Sequence, residues 1–214
     1  MNTNLLRAAV AACAVMGITA TVTVSAVSPV TAGEAEPLVC DNTAETPATG
    51  TYSSVLVPEG GICYLVGATV TGNVKAFDPR SVYIIDTEVQ RNIKIRGATK
   101  NVVIGTEDCR FDPPVGNNVQ VMWSHNVAIC MMTVDNNITV SRNDGRIMVR
   151  DNIVGNNIRV TRNYEYDPLP GEGEHPLSEA IRVRGNTAGS HIFVRHNQDR
   201  PLILKNNTPE PITE

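Results

Sequence analysis

Asn73-Val74-Lys75-Ala76 returns nineteen residues later as Asn92-Ile93-Lys94-Ile95. The pattern precedes these copies at Ser54-Val55-Leu56-Val57. It follows them at Asn118-Val119-Gln120-Val121, Asn137-Ile138-Thr139-Val140, Asn157-Ile158-Arg159-Val160 and His191-Ile192-Phe193-Val194. Apolar and variable residues alternate within each copy, the period-2 signal of a strand with one buried face. A second short strand falls about nine residues after each row start: Val82-Tyr83-Ile84, Val102-Val103-Ile104, Val127-Ala128-Ile129, Ile147-Met148-Val149, Ile181-Arg182-Val183 and Leu202-Ile203-Leu204. A third position, sixteen after the row start, holds Val70, Val89, Val134 and Ile153. One turn cannot bury its apolar face alone, whereas turns stacked at about 4.8 Å make continuous columns of Val, Ile and Leu. The expected fold is all-β, a right-handed parallel β-helix (solenoid) of about seven turns with roughly 19–20 residues per turn.

The repeat also sets the organisation of the chain. Residues 1–32 read as a signal peptide: Arg7 supplies the positive region, Ala8 to Ala26 the apolar run, and Val30-Thr31-Ala32 the small residues for cleavage. A lipoprotein reading through Cys13 fails because too little apolar sequence precedes that cysteine. Residues 33–52 are expected to cap or link. The β-helix is expected over 53–207, with insertions near 111–117 and 164–179, and 208–214 as a polar tail. Once the signal is removed no stable membrane span is expected, and the location is secreted, periplasmic or cell envelope. Proline and acid in the tail and a cap pinned by Cys40 favour a monomer over end-to-end assembly.

Composition narrows the function classes. The 214 residues carry a formal charge of −4, with 42% hydrophobic and only 4% aromatic residues. Such a chain lacks the basic surplus of a nucleic-acid binder. Removing the signal leaves 17 basic and 22 acidic residues. Export leaves four cysteines in an oxidising compartment, Cys40, Cys63, Cys109 and Cys130, for which three pairings exist. The repeat spaces Cys40 from Cys63, and Cys109 from Cys130, by about one turn, which favours those two disulfides. No zinc-ligand spacing competes, and no cofactor or metal motif is present.

The recurring asparagine has a physical cause. An amide both donates and accepts, so stacked Asn side chains satisfy backbone groups and one another at a bend. Asn73, Asn92, Asn118, Asn137 and Asn157 are expected to form such a structural ladder, with Asn101 and Asn126 starting a second. A buried ladder amide would not be open to glycosylation at Asn137-Ile138-Thr139.

The Asn-Val-x-Val rows, together with Gly50-Thr51-Tyr52-Ser53-Ser54-Val55-Leu56-Val57-Pro58, Gly61-Ile62-Cys63-Tyr64-Leu65 and Val70-Thr71-Gly72-Asn73-Val74, resemble right-handed parallel β-helix proteins. They look most like a family of small, exported, uncharacterised bacterial proteins. The resemblance covers roughly residues 40–206 and implies fold and secretion, with no particular activity.

Many secreted β-helices cleave acidic polysaccharides, so a polysaccharide lyase or glycoside hydrolase is the alternative reading. A lyase needs a base and acidic calcium ligands, and a hydrolase needs two facing carboxylates. The outward positions of the first strand, Lys75, Lys94, Gln120, Thr139, Arg159 and Phe193, contain no acid. Asp86 and Glu88, like Glu107 and Asp108, have no aligned partner in the next row. Met122-Trp123-Ser124-His125 vaguely resembles a Trp-x-Asp-His motif of pectate lyases, with Ser124 at the acidic position. No residue is therefore assigned as catalytic. The positions just after the first strand stack Trp123, Arg142, Arg162 and His196 into one vertical stripe. Guanidinium groups match carboxylate or sulfate, and an aromatic plane suits a sugar ring, so these four are the candidate binding residues for an acidic glycan or cell-envelope component. In the loop 164–179, Asp167, Glu172 and Glu174 are candidates for weak calcium binding. The sequence reading favours a secreted, non-catalytic structural or ligand-binding module.

Overall fold

The computed structural model describes residues 35–106, 114–164, 180–198 and 201–209. Its described residues contain strands and no helix, and three parallel sheets run the length of the stack. The eight-stranded A sheet consists of Pro37–Val39, Ser54–Val57, Val74–Phe77, Ile93–Arg96, Asn118–Met122, Asn137–Ser141, Ile158–Thr161 and Ile192–Arg195. The seven-stranded B sheet runs from Ile62–Val66 through Ser81–Ile85, Val102–Gly105, His125–Cys130, Asp144–Arg150 and Ile181–Arg184 to Leu202–Leu204. The C sheet has seven two-residue strands, from Thr51–Tyr52 to Thr187–Ala188. Each coil visits A, B and C in turn, so neighbours within a sheet are equivalent residues of successive coils. This is the parallel β-helix that the repeat predicts.

Alternation carries the core. In the A sheet Val74, Ala76, Ile93, Ile95, Val119 and Val121 point inward and are fully buried, while Lys75 and Lys94 between them are exposed. In register, Val74 pairs with Ile93, Ile93 with Val119 and Val119 with Ile138. B contributes columns such as Val82, Val102, Val127, Ile147 and Ile181. C contributes Val70, Val89, Val115, Val134, Val154 and Ala188.

Two of these C positions refine the sequence alignment. Ile153 is 55% exposed, and Val154 takes the inward place. The coil holding them has one residue more, which enters where Asp144–Ile147 pairs with His125–Val127 around Gly145. Pro114–Val115, assigned to the first insertion, is a C-sheet strand paired with Glu88–Val89 and Thr133–Val134. Residues 107–113 lie outside the described residues.

The three corners decide whether such coils can stack. After five of the A strands, Asp78, Trp123, Arg142, Arg162 and His196 have φ between 50° and 58°. After four of the B strands, Asp86, Met131, Asp151 and Lys205 have φ between 47° and 55°. A left-handed residue breaks the strand parity and lets the following side chain also turn inward. That inward residue is polar in the later coils. At the first corner Ala98 N–H donates to Ser124 Oγ (3.2 Å), Ser124 N–H to Asn143 Oδ1 (2.9 Å), Asn143 N–H to Asn163 Oδ1 (3.1 Å) and Asn163 N–H to Asn197 Oδ1 (3.0 Å). At the second corner Met132 N–H donates to Asn152 Oδ1, Asn152 N–H to Asn186 Oδ1 and Asn186 N–H to Asn206 Oδ1. Both amide hydrogens of Asn143 and Asn152 are also used, one on a carbonyl beneath and one on the next rung. These interior amides are fully satisfied, as burial requires.

The N-terminal segment is woven into the stack. Pro37–Val39 extends the A sheet beside Ser54–Leu56, Ala48 bridges to Leu65, and Cys40 is disulfide-bonded to Cys63 with Cα atoms 5.3 Å apart. Cys130 is also disulfide-bonded; its expected partner, Cys109, lies outside the described residues. At the other end Asn207 bridges to Thr187, and the Thr208 hydroxyl donates to the Ser190 carbonyl. Among the described residues no helix is long and apolar enough to cross a membrane.

Removing a buried rung should strand several polar groups at once. Asn152→Leu is expected to cost roughly 3 kcal/mol or more, because the Met132 N–H and Ile129 C=O lose their partner inside the core. Asn156→Ala, on an exposed rung that donates only to Asn136, should cost less than about 1 kcal/mol. Denaturant melts of the two variants compare the losses; equal small losses would show the interior rungs to be dispensable.

Candidate functional site

The third corner, where each coil enters its A strand, holds a different kind of amide column. Asn92 Nδ2 donates to Asn73 Oδ1 (3.0 Å), Asn118 to Asn92 (3.1 Å), Asn137 to Asn118 (3.0 Å) and Asn157 to Asn137 (3.1 Å). Backbone N–H groups of Asn92, Asn118 and Asn157 donate to the same oxygens. Asn92, Asn118, Asn137 and Asn157 each spend one amide N–H within the column, and the second has no partner among the described residues. The five asparagines are part-buried and line a groove of about 530 Å³. An outer column, Asn117, Asn136 and Asn156, runs beside them.

The other wall of the groove is the first outward column of the A sheet. Register places Lys75, Lys94, Gln120, Thr139 and Arg159 one above another. All five line the groove, and among the described residues no carboxylate does. Below Lys75 the column continues as Leu56 and Val39, 46% and 67% exposed. Above Arg159 stands Phe193. Its ring lies 5.4 Å from the Arg159 guanidinium, 5.3 Å from that of Arg195, and stacks on His191 at 5.1 Å. The second outward column adds Arg96 and Arg195. The outward positions of the A strands therefore carry five cations and no acid, in a chain whose formal charge is −4.

The stripe expected from the sequence lies at the A-to-B corner. Trp123, Arg142, Arg162 and His196 occupy its left-handed position in successive coils. Trp123 is 46% exposed, and the Arg142 guanidinium sits 4.9 Å from its ring centroid. Bulky side chains in this conformation cost roughly 1–2 kcal/mol each relative to glycine. The lower coils place Asp78 and Gly97 there, and the corner after the B sheet uses Gly67, Asp86, Asp151 and Gly185 in four of its coils. Four consecutive large residues, none of them Gly, Asp or Asn, run against that backbone preference. Strain of this kind points from geometry to use.

Other candidates resolve into structural roles. Ser124 is a buried rung whose hydroxyl donates to the Met122 carbonyl (3.0 Å), so it is not placed as a metal ligand. His125 Nδ1 lies 3.0 Å from Asp144 Oδ1, and His191 Nδ1 lies 2.7 Å from Ser190 Oγ. Tyr64 and Tyr83 stack on each other at 4.2 Å and 6°, which covers the ring faces a sugar would need. Burial and the neighbouring Tyr83 raise the Tyr64 phenol above its ordinary value, so it stays neutral at physiological pH. Asn126 Nδ2 reaches Asn101 Oδ1 at 3.4 Å. Among the described residues no three His, Cys, Asp or Glu side chains are grouped to hold a metal ion. Asp167, Glu172 and Glu174 lie outside the described residues, as do Glu107 and Asp108.

Sequence reasoning missed the Asn73-to-Asn157 column as a groove wall. It also missed the interior columns containing Asn143, Asn163 and Asn197, and Asn152, Asn186 and Asn206. Their one available signal was an Asn recurring one turn apart. Comparison with protein-family models, curated proteins and solved structures finds no match.

Glycine at the strained corner tests whether these side chains serve the fold. Arg142→Gly and Arg162→Gly are expected to leave stability unchanged or raise it by up to about 1 kcal/mol, since relief of the left-handed conformation offsets the entropy of a freer unfolded chain. A loss above about 1 kcal/mol in denaturant melts would assign them to the fold instead.

Proposed function

We propose that this chain is a secreted, non-catalytic β-helix protein of the cell envelope or extracellular space that binds an acidic glycan on its A side. One observation carries the reading: the cations of the A face stand together without acids, although the chain as a whole is acidic. Segregation of this kind raises the local concentration of an anionic partner without making the whole protein sticky. The corner of Trp123, Arg142, Arg162 and His196 continues the basic face and supplies an aromatic surface.

Two further features support the assignment. Disulfides at Cys40–Cys63 and at Cys130 fit an oxidising compartment. Among its described lining residues the groove also lacks the facing carboxylates that a glycoside hydrolase would use and the acidic ligands that a calcium-dependent lyase would use. Pro37–Val39 and Asn207, bonded to the outermost coils of the stack, favour a monomer.

A glycan array followed by reducing-end and unsaturated-product assays on each hit tests the reading. The expected result is retention of uronate-containing or sulfated glycans with no product formed. Turnover of a bound glycan would establish the enzyme reading, and retention of neutral glycans only would remove the role given to the cations. In the same assay at raised salt, binding should weaken several-fold as screening shortens the reach of the exposed charges.

A further inference from the structure

We infer that the ligand is an extended polyuronate lying along the helix axis, across the A strands, with about one sugar ring per coil and a length fixed by the groove. The inference rests on the acidic-glycan reading above and adds the ligand's class, direction and size. Direction follows from register. A single A strand offers two outward side chains, whereas equivalent residues of successive coils form unbroken vertical columns. The groove is bounded by two such columns, the amides of Asn73 to Asn157 and the series from Lys75 to Arg159. A ligand filling it must run vertically.

The repeat identifies the class. Coils advance about 4.8 Å each, close to the advance of one pyranose ring in an extended 1,4-linked chain. The coils of Asn92, Asn118, Asn137 and Asn157 each present one amide N–H with no partner among the described residues, a donor suited to a ring or hydroxyl oxygen. The opposing wall presents cations at Lys75, Lys94 and Arg159 and neutral hydrogen-bonding groups at Gln120 and Thr139. A polymer with a hydroxyl-rich ring and a single carboxylate per repeat matches both walls. Duplex DNA, with one charge per roughly 1.7 Å of axis, carries far more charge than these columns neutralise.

Length follows from the ends. Lys75 and Arg159 are four strand spacings apart, roughly 19 Å, and both ends of the column then turn apolar, at Leu56 and Phe193. About five rings bridge the outermost cations, so a trimer can reach Lys75 and Lys94 together but not Arg159 as well.

Calorimetric titration of the disulfide-intact protein with purified oligogalacturonates, from dimer to octamer, tests this. Affinity should rise at least tenfold between trimer and hexamer and then level off, because linked contacts act as one. Lys94→Gln and Arg159→Gln should each weaken the hexamer about fivefold or more with the melting temperature unchanged, and Arg159→Gln should leave the trimer unaffected. Equal affinity for trimer and hexamer overturns the inference. So does hexamer binding that survives both substitutions and is lost in Trp123→Ala; that result keeps the acidic-glycan reading and moves the site to the corner. Tighter binding of single-stranded DNA than of the hexamer overturns the ligand class. If neither an oligogalacturonate nor any other acidic glycan binds, the parent reading falls with it.

Discussion

Equivalent residues of successive coils must hydrogen-bond in parallel register, and everything else in the molecule follows from making the corners obey that rule. A strand satisfies its neighbours by itself, but a corner turns backbone groups away from the ladder. The interior amides of Asn143, Asn163, Asn152 and Asn186 close this gap: each oxygen accepts from the preceding coil, and each nitrogen donates twice. In a dry core an unsatisfied N–H costs more than a formed bond contributes. The amide columns are therefore a condition for stacking rather than an ornament on it.

The same rule that orders the interior also orders the surface. A side chain that points outward in one coil has its counterpart one strand spacing above, so chemistry placed once becomes chemistry placed in a line. Inward columns vary little and are mostly Val, Ile, Leu and Ala. Outward columns are free to vary, and the A side uses that freedom to collect Lys75, Lys94, Arg96, Arg159 and Arg195. Where the Asn73-to-Asn157 column meets this face, Asn92, Asn118, Asn137 and Asn157 each keep one N–H with no partner among the described residues, in contrast with the interior amides. That difference between two kinds of asparagine separates a structural column from a surface able to bind.

Much of this was legible in the sequence. Period-2 alternation in rows of nineteen located the A and B strands, since both sheets bury one face and expose the other. The Asn73-to-Asn157 series was visible because it falls at the same place in every row. Asn143 and Asn152 were hidden, because a left-handed residue such as Arg142 or Asp151 breaks alternation just before them. One extra residue around Gly145 displaced Ile153 by one position and put Val154 in the core. The basic face was invisible to a linear count: residues 137–200 hold nearly equal numbers of arginines and acids, and only parallel register gathers Lys75, Lys94, Arg96, Arg159 and Arg195 from four separate strands onto one sheet.

Side-chain amide NMR distinguishes the two classes of asparagine directly. On titration with an oligogalacturonate hexamer, the Nδ2–H signals of Asn92, Asn118, Asn137 and Asn157 should shift, since each residue lines the groove and has one N–H with no partner among the described residues. Those of Asn143, Asn152, Asn163 and Asn186 should stay in place, because both of their hydrogens are already bonded inside the coil. Shifts confined to the interior amides, or saturating binding with no shift in the groove column, would contradict the account.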